Sequence, residues 1–153
     1  MPGKYLVVRG EDNIATRHMI TEVEAYRGTD DLACHASRGR TNRTEVMFRR
    51  GGYIYIYLIY GMYWMLNIVT GHEDNPQAIL IRGVEKFSGP GRLTRGIGID
   101  KSLNGTDLTQ SDIVWIERGD RKHPVEVSPR IGIDYAGEPW KSKPWRYFIS
   151  HIL

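Results

Sequence analysis

A chain of 153 residues with 41% hydrophobic residues is long enough to bury one core, so a single domain over residues 1–153 is expected. The net charge of +3 suits a nucleic-acid partner and an ordinary solvated basic surface about equally well. One cysteine excludes an internal disulfide, and the scattered histidines give no metal-binding spacing, so no metal is expected. Without a signal peptide or a membrane-spanning apolar run, the sequence predicts an intracellular protein, in the cytoplasm or nucleoid of a bacterium or the nucleus of a eukaryote.

The strongest periodicity along the chain has a period of two, which is typical of β-strands. Seven strands are predicted, at 6–8, 20–26, 53–59, 63–70, 78–84, 113–117 and 147–149. Helical signal is scarce: Ser88 or Gly89 can cap a short helix with Pro90 in its first turn, and 106–110 is expected to form another helical turn. The pattern predicts a mainly β or α+β fold, in which an antiparallel sheet carries short helices.

The segment 53–70 is expected to form a β-hairpin with Gly61 in its turn. Alternation puts Tyr53, Tyr55 and Tyr57 on one face, which suits a wet groove or pocket, and the intervening aliphatic residues on the core face. Tyr60 lies at the tip, where its ring cannot pack in its own sheet. It is either a surface or oligomer contact or, with Met62 beside it, a wedge that enters a DNA duplex.

The strand 20–26 carries two glutamates on one face, and alternation groups Ile20, Glu22, Glu24 and Tyr26 there. The simpler interpretation is a solvated face, since Glu is seldom buried. The alternative is a carboxylate in a cleft, where partial desolvation makes it a stronger base. Arg82, inside an apolar strand, is either its partner or a strand-end residue that points to solvent.

Longer strings of residues carry a specific resemblance. TEVEAYRGTDDLACHASRGRTNRTEVMF, then YIYLIYGMYWMLNIV and ILIRGVE, and later GPGRLTRGIGID and RIGIDYAGEPWKSKPWRYF closely resemble the alkyladenine (3-methyladenine) DNA glycosylase family, also called methylpurine-DNA glycosylase. The resemblance runs from about residue 4 to 149. The sequence departs from the family pattern in three places: T-N-R-T stands at 41–44 for the family's T-P-R-N, Met65 replaces a frequent cysteine, and the family's N-terminal segment has no counterpart before the first strand.

The resemblance implies a role for each matching position. Glu24 matches the carboxylate that deprotonates the attacking water, while Arg82 and the backbone carbonyl of Ile131 match the groups that hold this water. The remaining matches are to the walls of the base pocket, to the side chain that excludes normal guanine, and to the residue inserted into the duplex. These are Tyr26, His35 and Tyr57 for the walls, Asn67 for guanine, and Tyr60, with Met62 as its neighbour, for insertion.

The implied fold is a curved, open barrel-like antiparallel sheet with peripheral helices and a protruding hairpin. The implied reaction removes alkylated or deaminated purines from double-stranded DNA and leaves an abasic site, with a monomeric enzyme that uses no cofactor. No lysine lies within the pocket motifs, so a strand-cleaving Schiff base is not expected. Three alternatives stay open: a non-enzymatic module that binds damaged or single-stranded nucleic acid, an RNA-directed or formyltransferase-like domain, and a tyrosine face that forms a homodimer.

Overall fold

A computed structural model describes residues 1–150 of the chain. Its strands form one curled, nine-stranded antiparallel sheet, which makes a half-barrel. The strands are β1 (Tyr5–Arg9), β2 (Ala15–Tyr26), β3 (Ile54–Ile59), β4 (Tyr63–Val69), β5 (Ala78–Val84), β6 (Phe87–Ser88), β7 (Val114–Glu117), β8 (Glu126–Ser128) and β9 (Arg146–Phe148). The central path runs β3-β4-β5-β2-β1-β7, while β6 pairs with β5, and β9 pairs with both β2 and β8. The curved, mainly β architecture predicted from the sequence is confirmed.

Strand β2 is the spine of the sheet, because its two halves pair with different neighbours. Residues 15–19 pair with β1, whereas 20–26 pair with β5 and, at 22–24, with β9. The register against β5 shifts on both sides of Glu22, so an irregularity of the β-bulge type lies there. The alternation expected through Ile20 is therefore interrupted, and Ile20 packs in the same core cluster as Val23. Bulges bend a strand and re-aim its side chains, which here concerns the segment that carries both glutamates.

Two apolar clusters cover opposite faces of the hairpin strand β3. Ile54 and Ile56 belong to the main core, as the alternation predicted. The tyrosine face, expected to border a wet groove, is instead largely covered: Tyr55 is only 2% exposed. It packs in a second cluster against residues from the short 3₁₀ helices His35–Arg38 and Glu45–Phe48. No wet groove lies at Tyr55 because these helices fold over that face, whereas Tyr57 on the same face lines a cavity.

The α-helix α1 (Pro90–Gly96) follows Gly89 as its N-cap and has Pro90 in its first turn, as predicted. The helical turn expected at 106–110 is absent: those residues form a β-bridge from Asp107 to Tyr53 and then a turn. Asp107 accepts hydrogen bonds from the backbone and hydroxyl of Thr109, a local arrangement that competes with a helix. Other short 3₁₀ helices lie at Lys101–Leu103 and Asp134–Ala136. Within residues 1–150, no helix is long and apolar enough to cross a membrane.

Candidate active site

Glu24 lies at the C-terminal end of β2 with none of its surface exposed. Its Oε2 accepts a hydrogen bond of 2.9 Å from the hydroxyl of Tyr26, and its Oε1 accepts one of 2.7 Å from the backbone N–H of Ile131. Arg82 Nε lies 3.5 Å from Oε1. Burial raises the pKa of Glu24 above its ordinary value, while Arg82, the Ile131 N–H and Tyr26 act in the opposite direction. The solvated-face interpretation of this glutamate is therefore wrong.

Glu22 is also buried, and it holds two arginines at the same wall. Arg82 Nε donates to Glu22 Oε1 at 3.0 Å, and Arg146 Nε on β9 donates to the same oxygen. Arg146 is further fixed by a 3.1 Å hydrogen bond to the hydroxyl of Ser128 on β8. Arg82 is thus closer to Glu22 than to Glu24. The sequence singled out Arg82 but missed Arg146, although an arginine at the start of a partly buried strand was a comparable signal.

Three aromatic side chains implied by the resemblance meet beside Glu24, but two of them form one wall. The rings of His35 and Tyr57 are in edge contact, with centroids 4.4 Å apart. His35 Nδ1 is hydrogen-bonded to the hydroxyl of the buried Tyr55 at 3.0 Å, and this contact fixes the histidine ring in the wall. Burial, with help from Arg43 and Arg38, lowers the pKa of His35 to about 4. The histidine is therefore neutral at physiological pH. The third aromatic side chain, Tyr26, lines the site from the end of β2.

These aromatic rings separate a large open cavity from a small void. The cavity has a volume of about 640 Å³ and includes Tyr26, His35, Tyr57, Arg82 and Ile131 in its lining. The void, of about 40 Å³, is shared by the same three aromatic residues, and Asn67 lines only this void. A volume of this size accommodates about one water molecule, since water occupies roughly 30 Å³ in the liquid. Both amide hydrogens of Asn67 are engaged, because Nδ2 donates to the carbonyls of Tyr55 and Met65 at 3.2 Å each.

The hairpin tip overhangs the cavity. Tyr60, which lines it, is 82% exposed, and Met62 is 65% exposed. Tyr60 and Gly61 both have positive φ, of 52° and 67°. This left-handed conformation is common for glycine but uncommon for tyrosine. The tip thus presents an unpacked aromatic ring on a tight turn, as expected from the sequence.

A second buried ion pair lies behind the site. Arg130 donates to both oxygens of Asp31, at 2.6 and 2.8 Å, and neither side chain is exposed. Ile131, which follows Arg130 in the chain, is 49% exposed and lines the cavity with Tyr135. The hydroxyl of Tyr135 donates to the carbonyl of Ala33, at 3.2 Å. Sequence reasoning missed Asp31, Arg130 and Tyr135, because nothing local in the sequence marks residues that only the fold brings together.

Three carboxylates and three guanidinium groups around the site balance one another if Glu24 is ionised, and Arg43 and Arg92 in the cavity lining add further positive charge. The carboxylates of Glu22, Glu24 and Asp31 face the guanidinium groups of Arg82, Arg130 and Arg146. Chemically, the arrangement offers a desolvated carboxylate with raised basicity, next to a cavity with aromatic walls. Among residues 1–150, no group of three or more His, Cys, Asp or Glu side chains is placed to hold a metal ion; His151 lies outside the described residues.

Comparison with known proteins identifies the family. A sequence profile of the family described as "Methylpurine-DNA glycosylase (MPG)" matches residues 1–89 and 85–152. Proteins named "Putative 3-methyladenine DNA glycosylase" are similar over most of their length. One from Borreliella burgdorferi strain ZS7 is 43% identical, covering 92% of this chain and 81% of the relative. One from Rickettsia felis is 43% identical, covering 99% of this chain and 84% of the relative. One from Methanocella arvoryzae is 42% identical, covering 84% of this chain and 74% of the relative.

The site therefore combines a cavity with aromatic walls and a buried carboxylate next to it. The chain belongs to the methylpurine-DNA glycosylase family. DNA glycosylase activity in DNA repair is the function that this membership supports.

Proposed function

We propose that this protein removes alkylated or deaminated purines, of the 3-methyladenine and hypoxanthine type, from double-stranded DNA and leaves an abasic site. The observation that carries the proposal is Glu24: a fully buried carboxylate, held by hydrogen bonds, behind the lining of an aromatic cavity. In the proposed reaction Glu24 takes a proton from water, whose oxygen attacks the anomeric carbon of the sugar. The glycosidic bond breaks, and the purine leaves with the bonding electrons.

Access to the sugar requires the nucleotide to leave the stack, which costs a few kcal/mol. Tyr60, with Met62 beside it, is the proposed wedge that fills the space left in the duplex, because its ring is exposed and borders the cavity. The flipped base would stack on Tyr26 and on the wall of His35 and Tyr57. Stacking contributes about 1–3 kcal/mol per base, and a cationic N-alkyl purine gains about 0.5–2 kcal/mol more on aromatic faces.

Selection against normal guanine is proposed to depend on Asn67. Its amide is fixed by two backbone carbonyls, so it cannot turn away from an additional amino group on the base. The void that it lines is too small for a purine, so entry of the base requires the aromatic rings around it to separate. Exclusion by shape and by unpaired polar groups is a common source of specificity.

Hydrolysis is proposed to need neither a lysine nor a cofactor. The water would be held by Arg82 and by the backbone carbonyl of Ile131, both at the cavity beside Glu24. The basic side chains in the cavity lining are arginines, at positions 43, 82, 92 and 146, and a guanidinium group stays protonated and does not form a Schiff base. The proposal is therefore a monofunctional glycosylase. That it acts as a monomer is proposed from the family resemblance alone.

The test is the Glu24→Gln variant on duplexes with a single hypoxanthine, followed by alkaline cleavage of abasic sites. The single-turnover rate should fall by about 10²–10⁴-fold, the range typical of general-base catalysis, while affinity for the lesion duplex is retained. Glu117→Gln is the control, since that carboxylate lies on β7, away from the cavity lining. Unchanged release by Glu24→Gln would refute the proposed mechanism. Lesion binding without release by the wild-type protein would favour the non-enzymatic alternative.

A further inference from the structure

The ion pair between Asp31 and Arg130 is the most completely buried charge pair that the described residues contain, with both side chains 0% exposed. The two arginine nitrogens that bond Asp31 form a fork to its carboxylate, 99 residues away in the sequence. Arg130 Nε is buried without a hydrogen-bond partner within residues 1–150. A pair selected only for stability would be expected to satisfy this N–H as well.

Arg130 contacts the two residues that follow Glu24 on β2, Ala25 and Tyr26. Its Nη1 donates to the carbonyl of Ala25 at 3.0 Å, and its guanidinium carbon lies 4.7 Å from the ring centroid of Tyr26. Tyr26 is the residue whose hydroxyl bonds Glu24 Oε2. The next residue after Arg130, Ile131, bonds the other oxygen of the same carboxylate. One arginine thus joins the loop at 130–131 to the end of β2 on both sides of the carboxylate.

Burial of an ion pair is by itself weak grounds for a role in stability. The cost of removing two charges from water is often as large as their attraction, and apolar replacements of the whole pair are frequently neutral or stabilising. What an apolar pair cannot reproduce is the hydrogen bond to Ala25 and the fixed position of the backbone at Ile131. The geometry of the pair therefore matters more than its charge.

We propose that Asp31 and Arg130 are positioning residues for the general base, which hold the Ile131 N–H and the Tyr26 hydroxyl on the two oxygens of Glu24. This inference depends on the proposed role of Glu24. Loosening the pair would release the Ile131 N–H from Oε1. The carboxylate would then lose orientation and one of the groups that favour its charged form.

The sign of the expected pH effect follows from the groups around Glu24. On its own strand are Glu22 and Tyr26, and the elements packed against it contribute Tyr57, Arg82, Arg130 and Arg146. Burial raises the pKa of Glu24, and the Ile131 N–H opposes this rise. Loss of that hydrogen bond raises the pKa further, so the base is ionised only at higher pH. A base acts in its charged form, and the acid limb of the rate profile should move upward.

The experiment uses Asp31→Leu/Arg130→Met, which removes both charges together and leaves the number of buried charges balanced. Urea denaturation first establishes that the variant is folded. The single-turnover rate on a hypoxanthine duplex is then measured from pH 4 to pH 9, a range that begins near the ordinary pKa of a carboxyl group and extends above it. We expect the acid limb to move up by about one pH unit, and the rate on that limb to fall about tenfold, with affinity for the duplex unchanged. Arg17→Met is the control, since it breaks the surface pair with Glu117 away from the cavity.

Arg130→Lys keeps the charge but loses the fork, and it should give an intermediate shift of the limb. The positioning role is overturned if folded Asp31→Leu/Arg130→Met has a lower rate at every pH with the limb in the wild-type position. It is equally overturned if rate and limb are both unchanged. If the double variant does not fold, Arg130→Lys decides by the same comparison. Failure of the proposed function gives a different result. In that case the wild-type protein shows no release of hypoxanthine with an acid limb, or Glu24→Gln leaves that release unchanged.

Discussion

At the C-terminal end of β2, Glu22 and Glu24 accept hydrogen bonds from three other segments of the chain, whereas at the tip of the β3–β4 hairpin the side chain of Tyr60 is 82% exposed. The first region keeps its charged groups fixed and out of water. The second keeps an aromatic ring in water on a turn where its own backbone is in a left-handed conformation, with φ of 52°. Both regions border the same cavity.

The difference between the two regions fits the proposed roles of Glu24 as general base and of Tyr60 as wedge. A general base needs a fixed position and an altered basicity, and both come from burial and hydrogen bonds made before any substrate arrives. A wedge needs an apolar surface that is free until DNA covers it, so it contributes favourable free energy only when DNA is bound. The conformation of Tyr60 costs about 1–2 kcal/mol for a non-glycine residue, and such strain is often found at functional positions. Changes in the first region should therefore alter stability, and changes in the second should alter binding alone.

The largest effect is expected when the buried network of β2 is broken at Glu22. Glu22→Ala leaves Arg82 and Arg146 without their shared carboxylate, in a wall where they are only 13% and 18% exposed. Removal of one partner from a buried ion pair typically costs 3–5 kcal/mol, so the free energy of unfolding should fall by about that amount. Urea denaturation measures it. Glu45→Ala, at a surface pair with Arg40, is the control and should cost about 1 kcal/mol or less. Equal effects of the two substitutions would show that the network is not a structural element.

The sequence predicted the hairpin, seven of the nine strands and the short helix α1 because their signals are local: alternation, a glycine in the turn, and a proline in the first turn of the helix. The short strands β6 and β8 and the first half of β2 were not predicted. Only the family resemblance suggested a cleft for Glu24, since the strand pattern alone favoured a solvated face, and the structure buries this carboxylate. Burial of that glutamate depends on β5, β9 and the 130–131 loop, which come from distant parts of the chain.

What the sequence could not predict consists of long-range contacts and register. The register irregularity at Glu22 changes which side chains share a face of β2, and no residue type at that position predicts it. Tyr55 looked like a groove residue because the 3₁₀ helices that cover it are weak signals. Asp31 and Arg130 lie in loops with unremarkable composition, and only the fold brings their charges together.

The intermediate effect concerns the hairpin tip. Tyr60→Asn removes the ring and suits the turn, because asparagine tolerates positive φ. Affinity for a duplex with one lesion should fall about 10- to 100-fold, equivalent to the 1–3 kcal/mol of a lost stacking contact, while the free energy of unfolding stays within about 1 kcal/mol of wild type. Fluorescence anisotropy on duplex and single-stranded probes measures the affinities. Equal losses on both probes would contradict a wedge, and a large loss of stability would contradict the division between the two regions.

The smallest effect concerns His35, which stands in the wall between the two regions. Its pKa is about 4 in the folded protein and about 6.5 for the free side chain, so the unfolded state binds a proton first as the pH falls. The stability associated with the neutral ring is fully present above pH 6.5 and is lost as the pH falls towards 4. His35→Phe keeps an aromatic wall but has no proton to bind, so its free energy of unfolding should fall less between pH 7 and pH 5. With allowance for the partial exposure of the ring, the difference should be about 1 kcal/mol by urea denaturation. Parallel pH profiles for wild type and variant would mean that His35 is solvated, and that the wall is more open than its contact with Tyr57 indicates.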